Sequence, residues 1–181
     1  MLRWIATFFG CIFRWRVKPS SATELKTGQV VIALSFGCLE GGPGGKSNEA
    51  LAVITRSIAS AYHLPAIAQW EIADSILGFP KEYKVRKHHV EGKYLDSYEV
   101  LLQAHLRCNS MAWFKAIILA HPDHLWRCVK IAERLGFEVL TIGTGCVPYD
   151  PKSTQWWTRG KFRFILREIP ARFLYLLKGW I

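Results

Sequence analysis

The chain lacks an internal repeat, a low-complexity segment and any apolar run long enough to span a bilayer. Its apolar stretch at residues 4–13 is about half of what crossing the hydrocarbon core requires. The five cysteines are odd in number and form no C-x-x-C pair, which disfavours both a disulfide framework and a zinc site. We therefore expect reduced thiols, a cytosolic setting and no bound metal.

Acidic residues are scarce at both ends of the chain, and this scarcity accounts for most of the net charge of +10. Residues 1–20 carry +4 and residues 150–181 carry +5, whereas residues 21–149 carry only +1. A nucleic-acid-binding protein would place a basic stripe across the folded middle, so this distribution disfavours nucleic acid as a partner. Both ends are also rich in Trp and Phe. We expect a peripheral, anionic membrane surface as the partner instead, at the cytoplasmic face.

The length and composition fit one α/β domain at residues 21–181, preceded by a membrane-interface helix at residues 1–20. Aromatic and aliphatic residues cover most of the predicted helix, as in helices that lie in the membrane plane. Its polar face consists of Arg3, Thr7, Gly10, Arg14 and Lys18. The alternative is a helix packed against the domain. A cleaved signal peptide is not expected, because basic residues follow the apolar run.

A second amphipathic pattern spans residues 160–181, and we expect its apolar stripe to pack on the sheet. The stripe consists of Phe162, Ile165, Leu166, Ile169, Phe173, Leu176, Leu177 and Trp180. The basic residues around the other side are Lys161, Arg163, Arg167, Arg172 and Lys178. Pro170 is expected to kink this helix or divide it in two. The basic face should add to the attraction for an anionic surface.

Strand and helix patterns alternate through the middle of the chain. The predicted strands are 29–35, 65–70, 83–88, 115–120 and 137–142, and the predicted helices are 48–62, 71–78, 95–111 and 122–135. Such alternation predicts a doubly wound, Rossmann-like three-layer sandwich with a mainly parallel five-stranded sheet. Right-handed crossovers in the order 3-2-1-4-5 place strands one and four side by side. Ligands then bind outside the carboxyl ends of these two strands.

The first strand runs into a glycine-rich loop that opens directly into a helix. A strand, a glycine-rich turn and a helix N-terminus in that order favour an anionic ligand, because free N–H groups and the helix dipole point outward there. Glycine also lets a ligand approach the backbone closely. The candidate ligand-binding residues of this segment are Ser35, Gly37, Gly44, Gly45 and Asn48.

Two nucleotide-binding motifs fail on this loop. Gly45-Lys46-Ser47 matches the end of a P-loop, but Glu40 occupies the position of its first glycine. No apolar strand ends in the aspartate that a P-loop protein uses for Mg²⁺. A G-x-G-x-x-G fingerprint does not fit the loop either. The cofactor, if any, is therefore left open.

A second loop follows the strand at 115–120 and continues into a helix through His121, His124 and Arg127. His124 and Arg127 lie three residues apart on one side of the helix, near its N-terminus, which favours an anionic ligand. His124 is also a candidate for proton transfer near neutral pH. The alternative is that both residues are solvated first-turn residues.

Histidine pairs occur twice, but neither pair predicts a metal site. His121 and His124 have H-x-x-H spacing without a nearby third ligand, so His121 is kept only as a candidate ligand-binding residue. His88 and His89 stand at the end of a peripheral strand and are predicted to be surface residues.

These segments resemble the YdcF-like family, which includes the SanA and ElyC envelope proteins. The resemblance runs from about residue 29 to the C-terminus and is strongest over AIILAHPDHLWRCVKIAERLGFEV. This segment is similar to the family's strand–S/T/H–P–x–H–x–x–R–helix signature, with His124 and Arg127 at the matching positions. Weaker matches are VVIALSFG, the segment 47–50 and the turn at 96–99. After strand two the family often has Ser-Gly-Gly, and here only Glu71 carries over.

The resemblance implies a Rossmann-like fold and indicates an activity only loosely. One member is reported to bind S-adenosylmethionine, and others are tied to cell-envelope integrity or lipid-carrier metabolism. One hypothesis is an enzyme at the membrane face acting on a phosphorylated or nucleotide-like substrate, with His124 as the proton-transfer group. Arg127 and the loop amides would hold the anion. Glu49, Glu71 or Glu99 would supply a carboxylate partner.

The second hypothesis is a binding or sensor module without catalysis that uses the same cleft. Its ligand would be S-adenosylmethionine or a related nucleotide. No Ser-His-Asp, Cys-His or paired-metal arrangement can be identified in the sequence, which leaves both hypotheses open. The sequence does not indicate an oligomeric state.

Overall fold

A five-stranded parallel sheet forms the centre of the protein in a computed structural model, which describes residues 9–10, 12–42, 44–145 and 147–181. The strands are β1 (Val30–Ala33), β2 (Ala66–Gln69), β3 (Lys84–Val85), β4 (Lys115–Leu119) and β5 (Glu138–Thr141). They lie in the order β3-β2-β1-β4-β5, and every neighbouring pair is parallel. The predicted doubly wound α/β class and strand order are confirmed.

Helices cover both faces of this sheet. They are α1 (Ala22–Leu25), α2 (Gly45–Tyr62), α3 (Trp70–Ala73), α4 (Ser97–Ser110), α5 (Pro122–Arg134) and α6 (Lys161–Leu177), with 3-10 turns at Lys81–Tyr83 and Trp156–Arg159. Alternate residues of β1 enter two separate cores. Ile32 packs with residues of α4 and α5, and Val31 packs with residues of α2. Because both faces are covered, β1 and β4 are continuous apolar runs, as expected for a parallel sheet.

Two predicted elements are shorter than expected. The helix predicted at 71–78 ends at Ala73, and the strand predicted at 83–88 is reduced to Lys84–Val85. The carboxylate of Asp74 explains part of this difference, because it forms ion pairs with Lys84 and Arg86. These pairs hold the chain after α3 against the short strand β3, at the edge of the sheet.

The contact face of α6 differs in part from the predicted stripe, of which Leu176 is buried as expected. The residues that α6 buries are Phe164, Glu168, Ala171, Arg172, Tyr175 and Leu176. Three members of the predicted stripe are exposed instead: Phe162 by 73%, Leu166 by 54% and Leu177 by 80%. The helix is also continuous through Pro170, so its predicted division does not occur. Pro170 lies on the exposed side, where water can reach the carbonyl that its missing N–H leaves unpaired.

The N-terminal segment is helical at residues 9–10 and 12–13 and has no regular secondary structure over residues 14–20. The predicted helix at 1–20 is therefore wrong over residues 14–20, while residues 1–8 and 11 lie outside the described part of the chain. Hydrogen bonds hold the end of this segment against β5: Ser20 N donates to Thr141 O (2.8 Å), and Thr141 Oγ1 donates to Lys18 O (2.9 Å). Within the described residues, every helix is too short or too polar to cross a membrane.

Candidate functional site

A crevice opens beyond the carboxyl ends of β1 and β4, with a cavity volume of about 180 Å³. This is the position that the strand order predicts for a ligand site. Its walls come from the segment after β1, the start of α4, the first turns of α5 and the inner side of α6. The residues that matter below are Ser35, Gly37, Ser97, His124, Arg127, Arg167, Glu168 and Lys178.

Aromatic stacking supports one wall of the crevice. The ring of Phe36, which follows β1, stacks on the imidazole of His121, with centroids 3.9 Å apart and an interplanar angle of 13°. Phe164 of α6 packs against the ring of Phe36, at a centroid distance of 4.9 Å. His121 is buried behind this wall and does not line the crevice. Burial lowers the pKa of His121 to about 4, so its imidazole is neutral near pH 7.

His124 lies inside the crevice wall, and its hydrogen bonds define which ring nitrogen holds the proton. Its Nε2 is 3.0 Å from Ser97 Oγ, and its Nδ1 is 3.3 Å from Nη2 of Arg127. A guanidinium group can only donate, so Nδ1 must accept and the proton of the neutral ring is on Nε2. Burial, followed by the charge of Arg127, lowers the pKa of His124 and keeps the ring neutral. His124 therefore directs an N–H group towards Ser97.

Arg127 and Glu168 form a buried ion pair next to His124. The guanidinium donates to the carboxylate from Nε (3.0 Å to Oε1) and from Nη2 (2.9 Å to Oε2). Side chains of His124 and Arg127 are both largely inaccessible, with residue exposures of 5% and 9%. The alternative that these two are solvated first-turn residues is therefore wrong.

Glu168 also accepts a hydrogen bond from Nε of Arg172 (3.0 Å), so one carboxylate contacts two guanidinium groups. The three-residue cluster carries a formal charge of +1. Burial alone would raise the pKa of Glu168, but the charge of Arg127 and the hydrogen bonds lower it well below its usual range. Arg172 is fully buried between the rings of Trp15 and Trp126, at 4.1 and 4.7 Å from their centroids.

The mouth of the crevice is also cationic. Arg167 and Lys178 both line it, and both are exposed. Arg167 lies over the ring of Trp157 (5.7 Å), and Lys178 Nζ lies over the ring of Trp180 (4.2 Å). Within the described residues neither side chain forms an ion pair. Their charges are therefore available to a ligand.

The protein's own side chains already bind part of the glycine-rich loop. At the start of α2, Lys46 N donates to Oδ2 of Asp150 (2.8 Å), so a carboxylate of the protein itself occupies this helix N-terminus. The side chain of Asn48 binds Phe36 N (2.7 Å), Gly37 O (2.8 Å) and Gly44 O (2.7 Å) within the loop. These contacts are structural, and Asn48 does not line the crevice.

Gly44 and Gly45 do not line the crevice, and internal packing explains why they are glycines. A Cβ atom on Gly45 would lie 2.4 Å from Asp150 Oδ2, and Gly45 has a φ of +60°. A Cβ atom on Gly44 would lie 2.5 Å from Cβ of Asn48. Their role as ligand-binding residues stays a prediction that the position of the crevice does not support. Gly37 does line the crevice, as does Ser35, whose N–H donates to Gln69 Oε1 (3.2 Å).

Glu71 lines a second pocket beside the crevice, which shares Gln69, Tyr94, Leu95 and Gln155 with it. A hydrogen bond from Gln155 Nε2 to Tyr94 Oη (3.1 Å) lies between the two spaces. Glu71 is buried, and within the described residues its Oε2 has no hydrogen-bond partner. Burial raises the pKa of Glu71 to about 7. The structure thus places Glu71 near the crevice but not in it.

The other two predicted carboxylates are elsewhere. Glu49 is exposed on α2 and lines neither pocket, because the neighbouring positions 48 and 51 form the buried face of this helix. Glu99 is buried on α4 and faces His88 and His89 rather than the crevice. The structure therefore does not bring Glu49 or Glu99 into the crevice beside His124.

His88, His89 and Glu99 bring three potential metal ligands within 4.8 Å of one another. His89 Nδ1 is 2.8 Å from Glu99 Oε1, and His88 Nε2 is 3.7 Å from Oε2. However, Val90 N donates to Nδ1 of His88 (2.9 Å), which leaves the proton of the neutral ring on Nε2 and directs it at Glu99. Hydrogen bonding fits this cluster better than metal ligation. The side chain of His89 is 61% exposed, as predicted, but that of His88 is only 13% exposed.

Sequence reasoning missed four residues of the crevice, Ser97, Arg167, Glu168 and Lys178, and also Arg172, which is buried behind it. Glu168 had a usable signal, since it is the only acid among the basic residues of α6. Ser97 lies in the turn at 96–99 that supports the family resemblance, immediately after the N-cap Asp96.

No family model, curated protein or solved structure matches this chain. The structure defines the class of protein as a doubly wound α/β domain with a polar crevice at the switch point of its sheet. The YdcF-like resemblance stays a prediction.

Proposed function

We propose that the protein binds an anionic small molecule in the crevice, with the negative group against the wall formed by His124 and Arg127. The observation that supports this proposal is the shared carboxylate of Glu168, which leaves the buried cluster with Arg127 and Arg172 at +1. A buried excess charge is costly in a low-dielectric environment, so an incoming anion is favoured there. Arg167 and Lys178 at the mouth add two further positive charges.

Binding without catalysis is the better supported form of this proposal. A general base needs a free lone pair, and the contact with Arg127 leaves the accepting nitrogen of His124 facing the protein rather than Ser97. The hydroxyl of Ser97, which accepts a hydrogen bond from Nε2–H of His124, then serves as a hydrogen-bond donor to a phosphate or carboxylate. The family resemblance supports a phosphorylated or nucleotide-like ligand.

Titration calorimetry with pyrophosphate, AMP and S-adenosylmethionine, with adenosine as the uncharged comparison, would test the proposal. We expect the phosphorylated probes to bind and adenosine not to. Arg167→Gln should weaken binding roughly fivefold, because one exposed charge is worth about 1 kcal/mol. Arg163→Gln removes another exposed charge of α6 that does not line the crevice, and should leave the affinity unchanged. Equal effects of the two variants would remove the crevice as the binding site.

An enzyme acting on a phosphorylated substrate is a second candidate, favoured by the 3.0 Å contact between Ser97 Oγ and His124 Nε2 at the start of α4. His124→Gln separates the two candidates, since an amide can still donate but cannot act as a base. Catalysis predicts a loss of about 10²–10⁴-fold in the hydrolysis of p-nitrophenyl phosphate. Binding alone predicts no turnover in the wild type and an affinity within about tenfold in the variant.

We also propose peripheral association with an anionic membrane surface. The basic ends of the chain and the exposed rings of Phe9 and Phe13 support it. The cytoplasmic face remains the expected side.

A further inference from the structure

The outward face of α6 presents several exposed apolar side chains. Phe162, Leu166, Leu174 and Leu177 are exposed by 73%, 54%, 48% and 80%. Phe162, Leu166 and Leu177 recur at helical spacing and so lie along one side, where Ile169 and Phe173 are half-buried. Soluble monomers rarely expose a continuous apolar patch of this kind without a function.

Basic residues flank this apolar row. Lys161, Arg163, Arg167 and Lys178 are all exposed on or directly after α6. The acid of the helix, Glu168, points into the protein and is 1% exposed. The outward face of α6 is therefore apolar and positively charged, with no negative charge of its own.

This combination decides which partner fits. A second copy of the chain packed face to face would bring the same positive charges together, which disfavours a symmetric dimer through α6. An anionic bilayer complements both features, since its phosphates attract the basic residues and its acyl boundary accepts the apolar ones. We propose that the outward face of α6 is the surface by which the protein docks on anionic lipid membranes.

Docking through α6 determines the position of the crevice. Arg167, Leu174 and Lys178 belong to this helix or follow it directly, and they also line the crevice mouth. The mouth then lies at the level of the lipid headgroups, where an anionic ligand can enter from the membrane surface. The inference rests on the membrane partner of the proposed function, and not on the ligand that occupies the crevice.

Sedimentation of the full chain with vesicles would test the inference, using phosphatidylcholine alone and phosphatidylcholine mixed with phosphatidylserine. We expect the wild type to bind the mixed vesicles and the double variant Leu166→Gln/Leu177→Gln to lose affinity roughly tenfold or more. Both leucines are exposed, so the fold should tolerate the change. The matched control is Leu77→Gln/Leu106→Gln, which replaces leucines that are 99% and 61% exposed on other elements. It should bind like the wild type.

Three outcomes would overturn the inference, and each has a distinct meaning. An equal loss of vesicle affinity in the α6 variant and the control would mean that the loss reflects the overall hydrophobicity of the surface rather than docking through α6. Unchanged binding of the α6 variant would leave the membrane partner intact but place docking at another surface, such as the N-terminal segment. A wild type that ignores both vesicles, and forms a dimer that the α6 variant abolishes, would make a second copy the occupant and remove the membrane partner. The affinity of the crevice for pyrophosphate, measured without lipid, tests the ligand proposal separately and does not depend on which of these three outcomes is found.

Discussion

The crevice and the second pocket each contain a buried glutamate, and the two glutamates have opposite electrostatic environments. Glu168 contacts two guanidinium groups, which hold its pKa well below the usual range despite complete burial. Glu71 contacts no cation among the described residues, and burial raises its pKa to about 7. Burial alone therefore does not set the charge of a carboxyl group here. The crevice wall is positive, whereas the second pocket contains an acid that titrates near neutral pH.

The largest effect is expected from Glu168→Gln, which removes the charge that the two arginines share. Breaking a buried ion pair in this way typically costs about 3–5 kcal/mol, because uncompensated charge is left in the interior. We expect urea unfolding to show this loss at pH 7. Since the folded-state pKa is lowered, the contribution of Glu168 is fully present above about pH 4.5 and is lost as the pH falls further.

Glu133→Gln is the matched control for Glu168→Gln. Glu133 pairs with Lys130 at the surface of α5, and its side chain is 45% exposed. Its loss should change the free energy of unfolding by about 0.5 kcal/mol or less. A Glu168 variant as stable as this control would contradict the difference drawn between buried and exposed pairs.

Glu71→Gln should raise the free energy of unfolding, and by less than Glu168→Gln lowers it. Because the folded-state pKa of Glu71 is raised from 4.5 to about 7, the wild type loses stability as the pH rises through this interval. The shift corresponds to at most about 3 kcal/mol at pH 8. The glutamine variant lacks this ionisation, so its free energy of unfolding should rise relative to that of the wild type between pH 4.5 and 8. Urea unfolding of both proteins at pH 4.5 and at pH 8 tests this. A difference in free energy of unfolding between variant and wild type that is the same at both pH values would show that Glu71 is paired in solution.

Asp150→Ala should give the smallest effect and tests a third carboxylate, the one at the N-terminus of α2. Loss of a helix N-cap interaction costs about 1–2 kcal/mol. The emptied N-terminus should then bind inorganic phosphate, which would restore part of the lost stability in the variant. In the wild type Asp150 already occupies this site, so phosphate should not stabilise the protein there. Thermal unfolding in phosphate and in chloride of equal ionic strength measures this. Equal phosphate effects in both proteins would mean that Asp150 does not occupy an anion site.

The sheet could be predicted from the sequence because its signal is local. The apolar run from Ala116 to Ala120 has both faces covered, and Pro122 and Gly136 mark the start of α5 and the turn after it. Connections between adjacent elements then fix the order of the strands. The position of the crevice follows from that order alone.

The chemistry of the crevice could not be predicted, because it depends on pairs that are distant in sequence. Asp150 reaches Lys46 across 104 residues, and Glu168 reaches Arg127 across 41. The amphipathic pattern of α6 is misleading for the same reason. A hydrophobicity pattern places Arg172 on the solvent side, but Glu168 and two Trp rings make its burial favourable.

Arg172 also has a consequence for the order in which the protein forms. Its Nη1 donates to the carbonyl of Arg14 (2.8 Å), across 158 residues of sequence. All five strands precede Glu168 and Arg172 along the chain, so the sheet can assemble during synthesis while the positive cluster cannot. The N-terminal segment must wait for α6 before the ring of Trp15 can stack on Arg172. The crevice wall that contains Glu168 is thus completed after the sheet.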